Sequence, residues 1–216
     1  MTGLLITFEG PEGAGKTTQI QLLAGYLADQ PLPVEVLREP GGTSLGEKIR
    51  NLLLDPEQEI CPGAEAYLYA AARAQLVNNV IKPFLDQGRI VLCDRFADAS
   101  IAYQGWGRGL GPQRVKEANA LALDGIWPDL TVLLDIAPEA GLQRAMDRRA
   151  GLDRIEQEDL SFHRAVRQGY SELAGAEPAR FLVVDATLSR EEISQRISAR
   201  TAALLLQKGF GLRGEV

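Results

Sequence analysis

Residues that could bind phosphate lie near the start of the chain. The string Gly10-Pro-Glu-Gly-Ala-Gly-Lys16-Thr17 matches the pattern G-x-x-x-x-G-K-[ST]. Glycines let such a loop aim its backbone N–H groups at phosphate oxygens, and the N-terminus of the following helix favours the same negative charge. The lysine of this pattern reaches the β- and γ-phosphates, and the hydroxyl residue coordinates Mg²⁺. We therefore predict a nucleoside triphosphate site made of Gly10, Pro11, Glu12, Gly13, Ala14, Gly15, Lys16, Thr17 and Thr18.

A second candidate site is the pair Asp94 and Arg95, which ends the apolar run starting at Ile90. Ligands bind at the carboxyl ends of strands in open α/β sheets, so both side chains should face the phosphate loop. Asp94 is expected to serve the metal ion, directly or through water. Arg95 suits a second anion, because a guanidinium binds phosphate through two parallel hydrogen bonds.

The type of reaction is indicated by strings that are missing. The sequence contains neither the Asp-x-x-Gly and Asn-Lys-x-Asp strings of GTPases nor the Asp-Glu strand end of motor ATPases. Its single histidine, His163, lies in a charged helical tract and is expected at the surface rather than in catalysis. Transfer of a phosphoryl group to an alcohol needs a proton acceptor, whereas a phosphate monoester is already ionised. A site with many arginines and no evident base therefore favours a nucleoside monophosphate kinase.

The elements that position these residues alternate along the chain. Strands are predicted at Leu4–Glu9, Val34–Arg38, Ile90–Asp94, Leu130–Asp135 and Phe181–Asp185. Helices are predicted at Lys16–Ala28, Ser44–Leu54, Ala64–Gln87 (with a possible bend at Pro83) and Arg190–Leu206. Apolar strands separated by helices indicate an α/β fold with a five-stranded parallel sheet covered by helices on both faces. We expect one domain spanning residues 1–216, with Gly105–Pro112 as a glycine-rich loop and 148–158 as a charged segment.

Composition excludes several other classes of function. Lys and Arg number 23 against 29 Asp and Glu, a net charge of −6, which disfavours a general nucleic-acid binder. Two cysteines, Cys61 and Cys93, and one histidine provide no paired spacing for a zinc site or a disulfide framework. The first residues lack the basic region of a signal peptide, and no apolar stretch approaches the ~20 residues that span a bilayer. We therefore expect a cytoplasmic protein without nucleic-acid or membrane partners.

Several strings together resemble the thymidylate kinase (dTMP kinase) family of P-loop NTPase fold. They are the phosphate loop with its flanks, Phe8 to Thr18; Arg38-Glu-Pro-Gly-Gly-Thr43; Ala71-Ala-Arg73; Asp94-Arg-Phe-Ala-Asp-Ala-Ser-Ile-Ala-Tyr-Gln-Gly105; and Leu152-Asp-Arg-Ile-Glu156. They occur in the family's order over most of the chain, and the string that begins at Asp94 is the most specific. The resemblance implies the reaction ATP + dTMP ⇌ ADP + dTDP, with Mg²⁺ held near Thr17 and Asp94.

The resemblance also implies roles for individual residues at the acceptor side. Arg95 and Arg50 match residues that grip the dTMP phosphate, and Glu12 matches the acid that contacts the nucleotide sugar and arranges the acceptor. The thymine edges would be read by Arg73, Ser100 and Gln104. Tyr103 would crowd the 2′ position against ribose, and Glu39 would be a nearby acidic residue. The family usually stacks a phenylalanine on the base, at the position that Tyr69 occupies here.

A lid is the remaining feature that the resemblance implies. Some members of the family carry an arginine inside the phosphate loop, but this loop reads Pro-Glu-Gly-Ala. Members of the family without a basic residue in this loop resemble the present chain in having a basic lid, here within residues 148–158. Arg148, Arg149 and Arg154 are therefore candidates to close over the triphosphate. Arg154 is preferred as the catalytic arginine because it lies in the Leu152-Asp-Arg string. Arg144, just before the lid, resembles the residue that packs on adenine.

The family resemblance implies a homodimer, for which the long tract Ala64–Gln87 is a plausible contact. Two other functions stay open at this point. A deoxyribonucleoside (thymidine) kinase would use a carboxylate such as Glu39 as a base and accept thymidine. A regulatory protein would hold ATP without transferring phosphate, although the presence of Lys16, Thr17, Asp94 and Arg95 together counts against it.

Overall fold

The computed structural model describes residues 3–30, 32–147 and 152–212. Five strands are formed, at β1 (Leu4–Glu9), β2 (Val34–Arg38), β3 (Ile90–Asp94), β4 (Leu130–Asp135) and β5 (Phe181–Asp185). They pair in the order β2-β3-β1-β4-β5, and all neighbours are parallel. The five predicted strands are confirmed with their bounds.

Nine α-helices occur within the described residues. They are α1 (Lys16–Ala28), α2 (Ser44–Leu54), α3 (Pro62–Leu76), α4 (Lys82–Asp86), α5 (Ala97–Ser100), α6 (Pro112–Leu123), α7 (Pro138–Met146), α8 (Leu160–Ala176) and α9 (Arg190–Gln207). Two π-helical turns, Val77–Ile81 and Ile101–Gly107, extend α3 and α5. No helix in the described ranges is long and apolar enough to cross a membrane.

Alternate residues of the central strands face opposite sides of the sheet. On one side, Leu4, Ile6 and Phe8 of β1 form a buried cluster with α1 and α9. On the other side, Leu5 packs with Val91 of β3 against residues of α3 and its π-helical turn, and α8 packs over β4. Period-two alternation with both faces apolar is typical of a parallel sheet covered on both sides. The predicted fold class is confirmed.

Two sequence predictions need correction in detail. The tract Ala64–Gln87 begins at Pro62 and widens into a π-helical turn at Val77–Ile81 just before Pro83, whose ring would clash with the carbonyl of residue i−4 in a regular helix. The segment Gly105–Pro112, expected as a loop, is still helical as far as Gly107. Close packing requires the glycine at 107, because a Cβ there would lie 2.6 Å from Phe162 of α8.

Candidate active site

The phosphate loop joins β1 to α1 and lies against the end of β4 and the start of α7. Gly10 has φ of 138°, and a Cβ there would lie 2.3 Å from the carbonyl oxygen of Leu134. A Cβ at Gly13 would lie 2.0 Å from the carbonyl oxygen of Gly141. Only glycine fits either position, which explains two glycines of the motif. Within the loop, Lys16 Nζ donates to the carbonyls of Gly10 and Pro11 at 3.1 and 3.0 Å.

Thr17 and Asp94, the two residues expected from the sequence to serve the metal ion, lie in contact at the sheet edge. The Thr17 hydroxyl donates to Asp94 Oδ2 at 3.1 Å. Among the described residues no group of three or more His, Cys, Asp or Glu side chains forms a metal cage. Mg²⁺ commonly binds through one or two protein oxygens plus phosphates and water, so a hydroxyl beside a single carboxylate fits that ion.

A cavity of about 280 Å³ extends from this loop across the carboxyl ends of β1, β2 and β3. It is lined at one end by Glu12, Gly13, Ala14, Gly15, Lys16, Thr17 and Thr18. Elsewhere its lining includes the predicted acceptor residues Glu39, Arg50, Tyr69, Arg73, Asp94, Arg95, Ser100, Tyr103 and Gln104. Residues separated by up to 92 positions in the sequence are thus brought together around one space.

Arg95 lines the cavity and contacts several of its other residues. Its backbone has φ of 67°, and its N–H donates to the carbonyl of Phe8 at 3.0 Å, which turns the side chain towards the phosphate loop. The guanidinium is paired with Glu12 and donates to the hydroxyl of Tyr170 at 3.2 Å. Tyr103 Oη donates to the same Glu12 carboxylate at 2.9 Å. Burial alone would raise the pKa of Glu12, but the charges of Arg95 and Lys16 and the Tyr103 hydrogen bond lower it to about 2.

Glu9, at the end of β1, contacts Arg95 indirectly, through the hydroxyl of Tyr170. Its side chain is fully buried, and it accepts hydrogen bonds from the Phe96 N–H and the Tyr170 hydroxyl, both at 2.8 Å. Burial, with repulsion from Asp98, raises the pKa of Glu9 to about 8 against the opposing effects of Arg95 and these hydrogen bonds. Tyr170 therefore links Glu9 to Arg95.

Arg73 is buried with only 1% of its surface exposed, and several protein partners hold it. Its guanidinium forms an ion pair with Glu39 at 2.6 Å, donates to the Phe96 carbonyl at 3.1 Å and contacts Asn119. Burial raises the pKa of Glu39 and the Arg73 charge opposes this effect. Nearby, Ser100 Oγ is buried without a hydrogen-bond partner in the described structure. This end of the cavity therefore offers both a fixed cation and a polar hydroxyl.

Glu65, which the sequence analysis did not single out, lies at the edge of this region. It is fully buried on α3, four and eight residues before Tyr69 and Arg73, and so shares their helix face. This spacing of four and eight residues could have identified Glu65 from the sequence as a neighbour of Tyr69 and Arg73 on α3. Glu65 accepts a hydrogen bond from Gln104 at 2.9 Å and forms ion pairs with Arg108 and Arg154. Arg108 was not predicted as a site residue, because the sequence places it in a glycine-rich segment that was expected to be a loop.

Of the arginines predicted for the lid and for adenine, none lines the cavity among the residues that the structure describes. Arg154 lies outside the cavity lining: its Nε donates to the Leu53 carbonyl at 2.8 Å, and its Nη1 is 2.7 Å from Glu65. Its neighbours Asp153, Ile155 and Glu156 do line the cavity. Arg144 lies on α7 and donates to the Ala186 carbonyl at 3.0 Å. Arg148 and Arg149 lie outside the described residues.

His163 is not at the surface, and that prediction is wrong. It is 2% exposed because it shares the buried face of α8 with Val166 and Tyr170, at helical spacing. Its ring packs edge-on against Phe162 with centroids 5.3 Å apart. Burial lowers the pKa of His163, opposed by Glu12 and Glu158. Charged neighbours in the sequence hid this face.

Comparison with known proteins gives a consistent result. The family model described as thymidylate kinase matches residues 8–197. The chain is similar to a thymidylate kinase of Deinococcus radiodurans, 55% identical over 91% of this chain and 95% of the relative. It is 49% identical to one of Geotalea uraniireducens over 95% and 99% of the two chains. A crystal structure of thymidylate kinase from Ehrlichia chaffeensis superposes with a TM-score of 0.75 at 33% identity, covering 94% of this chain and 99% of that one.

The parallel sheet, the phosphate loop at the end of β1 and the arginine-lined cavity beside it define a P-loop phosphotransferase. The length and the sequence identity of the matches also define the family. This chain belongs to the thymidylate kinase family.

Proposed function

We propose that the enzyme transfers the γ-phosphoryl group of ATP to dTMP, forming dTDP for nucleotide biosynthesis, with Mg²⁺ accompanying the ATP. Membership of the thymidylate kinase family supports this acceptor. The observation that carries the proposal is a single cavity that joins Lys16 and Thr17 at one end to Arg73, Ser100 and Gln104 at the other. A donor phosphate and an acceptor nucleotide can therefore lie end to end.

The phosphate loop forms the donor side. Its backbone N–H groups would hold the β-phosphate of ATP, while Lys16 would leave the Gly10 and Pro11 carbonyls to bind phosphoryl oxygens. Burial and the Arg95 charge lower the pKa of Lys16, opposed by Glu12, Asp94 and Glu9. Thr17 and Asp94 would hold Mg²⁺, which would offset charge on the phosphates.

The acceptor side places an arginine where the dTMP phosphate must lie. Arg95 donates to the Gly10 carbonyl of the phosphate loop at 3.3 Å. Arg50 also lines the cavity, and its Nη1 donates to the Pro40 carbonyl at 3.0 Å. The ionised Glu12 would orient Arg95 and contact the sugar, and Tyr103 would close the space at the 2′ position. No general base is required, because the acceptor phosphate is already ionised.

The base would lie between Tyr69 and the polar end of the cavity. Tyr69 lines the wall and is able to stack on a pyrimidine. Arg73, Ser100 and Gln104 would face the base edges, with Glu39 holding Arg73 in place. Burial of these groups means that a base with mismatched donors and acceptors leaves polar atoms unpaired, which is costly.

We also propose that residues 1–216 act as one kinase domain whose segment 148–158 is a lid. Support for the domain is that a single sheet draws strands from Leu4 to Asp185 and that α9 packs on it. Arg154 would have to release Glu65 in order to reach the transferring phosphoryl group. Arg148 and Arg149 would assist it, and Arg144 would pack on adenine. Closure would exclude water and limit hydrolysis of ATP.

The homodimer and the cytoplasmic location are part of the same proposal. On α3 a stripe of Ala64, Tyr67 and Ala71 faces outward at helical spacing, and Tyr67 is 68% exposed. Leu121 of α6, the helix packed beside α3, is 89% exposed. A second copy could cover this apolar surface. The free thiols of Cys61 and Cys93 suit a reducing compartment.

The test is ADP formation from Mg·ATP with dTMP, dUMP, UMP, dCMP, AMP and thymidine offered separately. A strong preference for dTMP is expected. Activity with thymidine but not dTMP would indicate a nucleoside kinase with Glu39 as its base, an option that the Arg73 ion pair on Glu39 disfavours. Binding of ATP without stimulation by any acceptor would indicate the regulatory alternative.

A further inference from the structure

Glu65 is a fully buried carboxylate just outside the base end of the cavity. Gln104 Nε2 donates to its Oε1 at 2.9 Å, and Arg108 donates to both oxygens through Nε and Nη2 at 3.0–3.2 Å. Arg154 Nη1 lies 2.7 Å from Oε2. The carboxylate is thus held by one neutral amide and two guanidinium groups.

These partners keep Glu65 ionised. Burial alone would raise its pKa, but the hydrogen bonds from Arg108, Gln104 and Arg154, together with the Arg108 charge, bring the pKa below the ordinary glutamate value. An ionised carboxylate accepts hydrogen bonds and donates none. Any group facing Glu65 must therefore be a donor.

This requirement fixes the orientation of the Gln104 side chain. An amide carries one NH₂ donor and one carbonyl acceptor on opposite sides, so directing Nε2 at Glu65 turns Oε1 away from it. Gln104 is 1% exposed and lines the cavity with Arg73 and Ser100. The amide atom available to a base in that cavity is consequently an acceptor.

We propose that Glu65 is a positioning residue that locks the Gln104 amide with its carbonyl towards the base and so selects thymine over cytosine. Thymine carries a hydrogen on N3, which can be donated to Gln104 Oε1. Cytosine has a lone pair on N3 and would face Oε1 with a second acceptor. The inference rests on the proposed placement of the base beside Gln104.

Arg108 and Arg154 each make contacts besides their pairing with Glu65. Arg108 also pairs with Glu158 and packs over the Phe162 ring at 4.7 Å. Arg154 is anchored by its backbone N–H on the Leu54 carbonyl and by its Nε on Leu53. Both guanidinium groups are therefore held by other contacts, and a neutral residue in place of Glu65 would leave them near Gln104 without the charge that orders the amide.

The test is the ratio of kcat/KM for dTMP to kcat/KM for dCMP in the Glu65→Gln variant. An amide at position 65 can accept or donate, so Gln104 can turn its NH₂ towards the base, and the ratio should fall about tenfold or more. A merely structural role would lower both kcat/KM values together, along with the melting temperature. An unchanged ratio would overturn the proposal.

Two further variants sharpen the test. Glu158→Gln removes a different carboxylate from the same Arg108 and should leave the ratio at its wild-type value; an equal fall there would overturn the proposal. The exchange Glu65→Gln with Gln104→Glu makes position 104 an obligatory acceptor again and should restore the ratio, even if Glu65→Gln alone is too unstable for kinetics. Failure of the exchange to discriminate would count against the proposal. A wild-type enzyme with no preference for dTMP would instead refute the placement of the base.

Discussion

At the scale of single residues, Arg95 shows how the site depends on geometry as well as charge. Its left-handed backbone, its ion pair with Glu12 and its contact with Tyr170 direct its guanidinium towards the phosphate loop, where we propose the acceptor phosphate to lie. Lys in its place would keep the charge that Glu12 requires but lose the planar fork that binds phosphate with two hydrogen bonds. We therefore expect binding of the acceptor phosphate to depend on Arg at this position.

We predict that Arg95→Lys raises KM for dTMP by about tenfold or more and leaves the affinity for ATP largely unchanged. Steady-state kinetics with each substrate varied in turn would measure both. Arg190→Lys is the matched control, since Arg190 is exposed and pairs only with its neighbour Glu191 among the residues described. Equal weakening of ATP and dTMP would remove Arg95 from the acceptor role.

Glu9 leads to a prediction about stability and pH. Its pKa of about 8 in the folded protein lies above the ordinary glutamate value of 4.5, so between these values the folded state holds a proton that the unfolded state has lost. This contribution to stability is fully present below pH 4.5. It falls as pH rises from 4.5 to about 8, with a slope of up to about 1.4 kcal/mol per pH unit, and is lost above that.

The Glu9→Gln variant should lose that slope. Its amide oxygen can still accept from the Phe96 N–H, and its NH₂ can donate to Tyr170, so the fold should be kept. Urea unfolding of the nucleotide-free protein between pH 5 and 9 would show a flatter profile than wild type. Parallel profiles for the two proteins would mean that Glu9 titrates normally.

The sequence predicts those site residues whose spacing is local. Lys16 and Thr17 follow from one loop, and Asp94 and Arg95 from one strand end. Other contacts around the site join distant positions: Tyr170 to Glu9 over 161 residues, and Arg154 to Glu65 of a helix that begins at Pro62. No periodicity encodes such pairs. The buried place of His163 was not predicted, because the charged residues around it in the sequence obscure the apolar face of α8 that it shares with Val166 and Tyr170.

At the scale of elements, the strands were predictable and the π-helical turns were not. Apolar runs define strands directly, whereas a π-helical turn depends on tertiary packing over a few residues. The turn Ile101–Gly107 carries both Tyr103 and Gln104 and lies on α8. Its position is set by close contacts at two glycines, Gly107 in the turn and Gly169 in α8.

Two glycines of α8 therefore provide a matched pair of substitutions. A Cβ at Gly169 would lie 2.6 Å from the Trp106 ring, while a Cβ at Gly175 would meet nothing within 4 Å. Gly169→Ala should destabilise the protein by roughly 1–3 kcal/mol and raise KM for dTMP, since it pushes the turn outward. Gly175→Ala should stabilise it by up to about 1 kcal/mol without affecting KM. Equal effects in thermal unfolding and kinetics would show that α8 does not position the turn.

At the scale of the whole molecule, the residues that we propose to bind the two substrates lie along one edge of the sheet. The phosphate loop, Asp94 and Arg95 follow strands β1 and β3, which are central neighbours, while Glu39 follows β2. The base end depends on α3, which contributes Glu65, Tyr69 and Arg73 from one face. The opposite face of the same helix carries the exposed stripe. A second copy bound there would rigidify the helix that holds the base.

We predict that Tyr67→Glu combined with Leu121→Glu converts the protein from a dimer into monomers in sedimentation experiments at micromolar concentration. Burying two carboxylates against an apolar surface is strongly unfavourable, and the loss of α3 support should raise KM for dTMP more than KM for ATP. Leu206→Glu on α9 is the control, because Leu206 is also an exposed apolar residue, at 40%, but lies on another face of the molecule. A wild-type monomer would refute the proposed dimer, and a double variant that stays dimeric would place the contact elsewhere.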